Sequence, residues 1–222
     1  MATGKRVSAA IGGAIFALAQ AARADGPHEL RHDVATDAVV TITSAIVIVG
    51  AELGKNDIAP RSCQWCDPPG IDSGARDALR WNETRTAAHL SDGIGLLAAP
   101  IADFGLLWVA GRDGGATGGQ QGVDALLVAE AVMISGVANE LTKNVVGRER
   151  PFVHALRESE KQTTPHPSDN QLSFYSGHTA STTTLAAAAG TIATLRGYRL
   201  APAIFATGGA VAAFTGYLRI AA

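Results

Sequence analysis

Five apolar segments, each about 20 residues long and set apart by breakers, constrain this sequence more than any other feature. They run over about 34–53, 91–110, 123–146, 178–197 and 200–219. Asp33 stands ahead of the first. Ser91-Asp92 reads as the capping pair of the second, which Gly111 closes, and Pro202 lies in the opening turn of the fifth. In the third, Leu126, Leu127, Ala129, Val132, Met133 and Val137 form an apolar side that Asp124, Glu130 and Glu140 interrupt. None of the five alternates strictly with period two, and each is long enough for a helix. Hydrophobic residues make up 47% of the chain but aromatics only 5%, a balance that suits closely packed helices better than sheets. The expectation is an all-α bundle of about five long helices in one domain, residues 25–222.

Three connections interrupt the apolar pattern. Residues 54–90 hold both cysteines, Pro68-Pro69-Gly70 and a polar stretch at 77–85 that could form a short helix. Residues 111–122 are glycine-rich and read as a flexible turn. Residues 152–174 contain Thr164-Pro165-His166-Pro167-Ser168-Asp169-Asn170, a run of turn formers. Loops of such length in a compact domain are often functional.

Residues 1–24 read as a secretory leader. Lys5 and Arg6 precede an apolar stretch at 7–22, too short for a comfortable membrane span, and Ala22-Arg23-Ala24 supplies small residues for cleavage before Asp25. An uncleaved anchor is the alternative. Cleavage would remove three of the 18 basic residues and none of the 20 acidic ones, leaving an acidic protein with no basic stripe for nucleic acid. In an exported protein, Cys63 and Cys66 are expected to form a disulfide that pins a local turn. A redox site would need a βαβ context, and one pair of cysteines is half a zinc site. If the leader delivers Asp25 outside, a spanning first helix would carry the cysteine loop to the reducing side. The expectation is therefore a periplasmic or secreted protein, soluble or associated with a membrane surface, with an integral inner-membrane protein as the alternative.

Two elements carry chemistry. Lys143 and Arg150 close the third apolar segment and lie seven residues apart, about 10 Å along a continuous helix. Pro151 drives Arg150 out of helical geometry and Gly147 is a natural stop, so Arg150 can turn back toward Lys143 and both can meet one anion. Taken alone, the pair better suits two cations offsetting a helix dipole. Ser176-Gly177-His178 directly precedes the fourth segment. Free amides at a helix N-terminus bind anions, glycine allows close approach, and a histidine there can give a proton to a leaving oxygen. The alternative makes Ser176 an N-cap and His178 a surface residue.

Together, a Lys-x6-Arg-Pro element ending one helix and a Ser-Gly-His element opening the next resemble the first two signatures of the type-2 phosphatidic acid phosphatases. That superfamily includes the class A acid phosphatases and the vanadium haloperoxidases. The resemblance implies that Lys143, Arg150, Ser176 and Gly177 bind phosphoryl oxygens and that His178 is the general acid. The substrate would be a phosphorylated small molecule or a lipid phosphate, with no metal or other cofactor. Gly216-Tyr217-Leu218-Arg219 falls where the third signature begins, and Arg219 would complete the phosphate site.

This sequence departs from the family pattern in three places. Tyr175 stands where the family has proline, and Leu218 where it has serine. The third signature's nucleophilic histidine, six residues past its arginine, would fall beyond Ala222. His154 and His166 lie in the loop after Arg150 and do not match it. In intact relatives a histidine attacks phosphorus, and a phosphohistidine is then hydrolysed. For these 222 residues the alternatives are an inactive phosphate-binding remnant and a vanadium haloperoxidase-like oxidoreductase.

Overall fold

A computed structural model describes residues 26–67 and 69–222, so the expected leader at 1–24 lies outside the described residues. The chain forms α1 (Val34–Leu53), the short α2 (Lys55–Ile58), α3 (Gly70–Leu79) and α4 (Thr84–Asp113). These are followed by α5 (Gly118–Val146), the short α6 (Pro151–His154) and α7 (Glu158–Lys161), then α8 (Gly177–Arg196) and α9 (Ala201–Ala221). No strand occurs among the described residues, and Trp65 makes one isolated bridge to Arg148. The all-α expectation holds.

Local chemistry sets the helix ends. Asp33 accepts a 2.8 Å hydrogen bond from the Thr36 amide and caps α1. Thr117 and Gln120 form a reciprocal capping box that starts α5. Its cap chemistry carries Gly118, Gly119 and Gly122 into helix, so the expected loop at 111–122 shrinks to a few residues around Gly114 and Gly115. Gly147 ends α5 at φ +53°, a left-handed conformation that glycine adopts without steric cost.

Two further expectations are corrected. The second long helix starts at Thr84 rather than Ser91. Two polar turns disguise its beginning as loop, and Ser91 and Asp92 are interior helix positions, not caps. The expected helix at 77–85 is instead α3, and the chain is extended at Arg80. There the Trp81 amide donates to the Ala221 carbonyl at 3.0 Å and its indole to Tyr217 Oη at 2.8 Å, tying the break to α9.

Helix α8 is central, packed against α9, α5 and α4, while α1 lies on the outer side of α5. The core between them is built from Ala99, Leu107, Ala110, Val128, Leu185, Ala189, Ala193 and Ile204. Small residues let the axes approach closely: a Cβ on Gly190 would overlap the Phe205 ring. At the far end of α8, buried Arg196 donates to Asp124 Oδ1 at 2.7 Å and to the His28 carbonyl at 2.8 Å. Tyr198 Oη donates to Asp124 Oδ2 at 2.7 Å. This network clasps the segment ahead of α1 to the bundle. Burial and the Asp124 carboxylate push the Tyr198 phenol well above its ordinary pKa.

Helices α1, α4, α5 and α9 are long and apolar enough to cross a membrane, by length and composition. Their outward faces expose Val39, Ile42, Ile46, Leu97, Ile101 and Val145. The C-termini of α1, α5 and α9 and the N-termini of α4 and α8 gather at one end of the bundle.

Candidate active site

That gathered end contains a cavity of about 600 Å³. Lys143, Arg150, Ser176, Gly177, His178 and Arg219 all line it, so the six site residues expected from sequence share one chamber. Lys143 comes from the last turn of α5. Arg150 follows the Gly147 turn, and its extended backbone ahead of Pro151 brings its side chain back toward α5. Ser176 caps α8, its Oγ accepting from the Thr179 amide at 3.3 Å, with Gly177 and His178 in the opening turn. Arg219 reaches in from the last turn of α9.

The cations are held in place by acids at the rim. Lys143 Nζ lies 2.8 Å from Glu140, one turn earlier on α5. Arg150 Nε donates to the Asp169 carbonyl at 2.8 Å, and Asp169 also pairs with Lys55 at 2.9 Å. Burial lowers the pKa of Arg150; Asp169 opposes that shift and Arg219 adds to it. Arg150 and Arg219 line the same chamber, and two guanidinium groups facing one cavity favour an anion between them.

Several lining or supporting residues had no sequence signal of their own. Asn139, buried one turn before Lys143, donates to the Tyr175 carbonyl at 2.9 Å and fixes the approach to α8. Arg148 pairs with Asp72 of α3 and sits over the Trp65 ring, 4.9 Å from its centroid. Asp92, read from sequence as a cap, has Oδ1 2.9 Å from His178 Nε2 and 3.8 Å from Arg219 Nη1. Asn139 was discoverable, since a residue four before Lys143 on a helix shares its face. Asp72 and Asp92 come from distant segments that no local pattern links to the site.

The Cys63 and Cys66 sulfurs lie at bonding distance, with Cα atoms 5.2 Å apart. Their loop docks on the turn that carries Arg148. The Gln64 amide donates to the Gly147 carbonyl at 2.9 Å, and the Glu149 amide donates to the Trp65 carbonyl at 3.0 Å. His154 pairs with buried Glu149 at 3.2 Å, which Lys161 also meets at 2.9 Å. Neither His154 nor His166 lines the chamber. No group of three or more His, Cys, Asp or Glu side chains is arranged for a metal among the described residues.

Burial lowers the His178 pKa, Arg219 lowers it further, Asp92 opposes the fall and Lys143 adds to it. The imidazole therefore loses its proton at lower pH than an ordinary histidine does. A dianionic ligand in the chamber would offset the surrounding cations and return proton affinity to the ring.

No curated protein and no solved structure matches the chain. Residues 124–222 match the family model of the PAP2 superfamily. That span, a little under half of the chain, contains Lys143, Arg150, the Ser176-Gly177-His178 triplet and Arg219, and the match supports membership in the PAP2 superfamily, that of the type-2 phosphatidic acid phosphatases.

Proposed function

We propose that the protein hydrolyses phosphate esters, phosphomonoesters or lipid phosphates, in the chamber at the N-terminus of α8. The observation that carries this reading is the convergence of Lys143, Arg150 and Arg219 with the opening turn of α8 on one cavity that His178 also lines. Three cations and the first free amides of a helix suit the oxygens of a phosphoryl group. Charge on those oxygens in the transition state would be met by groups already in place, at little reorganisation cost. His178 would donate a proton to the departing alcohol as water attacks phosphorus, and the proton that this water releases would restore the imidazolium.

Membrane embedding fits the outside of the bundle. An α8 of 20 residues is about 30 Å long, close to the hydrocarbon thickness of a bilayer. The charged Arg196 and Arg150 clusters occupy opposite ends, and the exposed apolar faces of α1, α4 and α5 lie between. This favours the integral alternative, with the chamber at the lipid–water boundary where a lipid phosphate presents its headgroup. Resistance to alkaline carbonate extraction is the expected result, and full release into the soluble fraction would overturn it.

A second reading is phosphate binding without turnover, which the cations and helix amides of the chamber equally allow. Phosphate release from p-nitrophenyl phosphate, compared with His178→Ala, separates the two. Turnover well above the variant supports the hydrolase. Bound inorganic phosphate with turnover at the variant's level supports the binding protein. Failure to bind phosphate or vanadate in a manner dependent on Lys143 and Arg150 would sink both.

A further inference from the structure

The chamber does not explain why α4 departs from α-helical geometry beside it. The helix makes a π turn over Ile94–Ala98, immediately after Asp92. Such turns insert an extra residue and re-aim what precedes and follows them, frequently at functional sites. Here the turn brings Gly95 against the imidazole of His178, where a Cβ would lie only 3.2 Å from Cδ2. The same turn places Asp92 Oδ1 2.9 Å from Nε2 of that ring. Asp92 is not among the residues that line the chamber.

We infer that Asp92 is the positioning residue for His178 and for Arg219, and that Asp92 and Gly95 of α4 form a seat for the imidazole. The inference rests on the assignment of His178 as general acid. Carboxylate contact at Nε2 fixes the ring's orientation and stabilises its protonated form, as a buried carboxylate does for the histidine of a hydrolytic triad. With Nε2 facing Asp92, Nδ1 is the nitrogen left to exchange a proton with a ligand. In the donation step, the Nδ1–H bond breaks as the leaving oxygen gains that proton. The ring becomes neutral and keeps Nε2–H toward Asp92. The charged groups facing the ring are Asp92 of α4, Lys143 of α5 and Arg219 of α9. Asp92 alone among them favours the imidazolium, and it also lies 3.8 Å from Arg219, so one carboxylate orients both the acid and a phosphate ligand.

The test is a histidine titration by NMR on the full chain in detergent micelles, with ¹³C-labelled histidine and His178 assigned through His178→Gln. In Asp92→Asn the His178 pKa should fall by about one unit, the lower end of the effect of an adjacent opposite charge. Gly95→Ala, which leaves the carboxylate in place but displaces the ring, should shift it in the same direction. Asp92→Glu should restore most of the loss. An unchanged His178 pKa in Asp92→Asn would overturn the inference. In turnover, Asp92→Asn should lower kcat, move the alkaline limb of the pH profile down and raise KM through the loosened Arg219. A rise in KM with the pH profile unmoved would also overturn it. Absence of turnover in every form would count against the hydrolase reading alone, because the titration needs no catalysis.

Discussion

Gly177→Ala isolates what the α8 N-terminus does for a phosphate. The backbone at this position is helical, so alanine is sterically allowed there. The added Cβ would lie 3.0 Å from Asn139 Oδ1 and 3.3 Å from Lys143 Nζ. Asn139 is buried and pinned through its amide to the Tyr175 carbonyl, so it resists displacement. The ammonium is the far end of a flexible side chain and yields first. Phosphate then loses the Lys143 contact, a hydrogen bond to a charged group worth about 1.5–3 kcal/mol. At 1.4 kcal/mol per factor of ten, affinity should fall roughly 10- to 100-fold. Stability moves differently: alanine in place of glycine within a helix gains about 1 kcal/mol, which offsets the close contact with Asn139. Inorganic phosphate binding by calorimetry should therefore collapse while the thermal midpoint, followed by circular dichroism, changes by only a few degrees. Phosphate affinity within twofold of the parent, in a folded variant, would refute the placement of phosphate at Lys143 and the α8 amides.

Other perturbations separate the remaining parts. Asp124→Asn leaves buried Arg196 uncompensated and should cost about 3–5 kcal/mol of stability, with phosphate affinity unchanged when measured below the melting point. Because burial and the flanking cations lower the His178 pKa, the alkaline limb of kcat/KM should lie below the ordinary histidine value. As pH rises through that limb the general acid deprotonates and the rate falls, so activity should be greater at mildly acidic pH than at pH 8. Arg148→Ala removes both the pairing with Asp72 of α3 and the contact with Trp65, and should increase proteolytic cleavage within 63–79. An unchanged cleavage pattern would show that Arg148 does not hold that segment.

The parts of the site legible in the sequence are those whose chemistry is local. Lys143, Gly147, Arg150 and Pro151 spell out a helix end and a return. Ser176, Gly177 and His178 spell out a helix start, and the structure brings both to Arg219. Asp92 escaped because a serine-aspartate pair before an apolar run carries the local signature of a cap. What overrides that signature is the polar helix from Thr84, held by contacts from Trp81 to α9 that only tertiary packing supplies. Asp72 and Arg148 are 76 residues apart, and Asp124 and Arg196 are 72 apart, separations at which pattern is silent. The π turn had no compositional mark either, since Ile94-Gly95-Leu96-Leu97-Ala98 reads as an ordinary apolar helix.

The two ends of α8 differ in how their polar groups are used. At the Arg196 end, guanidinium, phenol, carboxylate and backbone carbonyl hydrogen-bond to one another. At the Ser176 end, cations from three other segments surround the first amides of the helix. One rod is thus anchored at its base and receptive at its tip. Sequence drift at the base changes how long the protein survives; drift at the tip changes what it accepts. An engineer could retune the substrate from the loops at the tip while hardening the protein through the clasp about 30 Å away, with little cross-talk between the two.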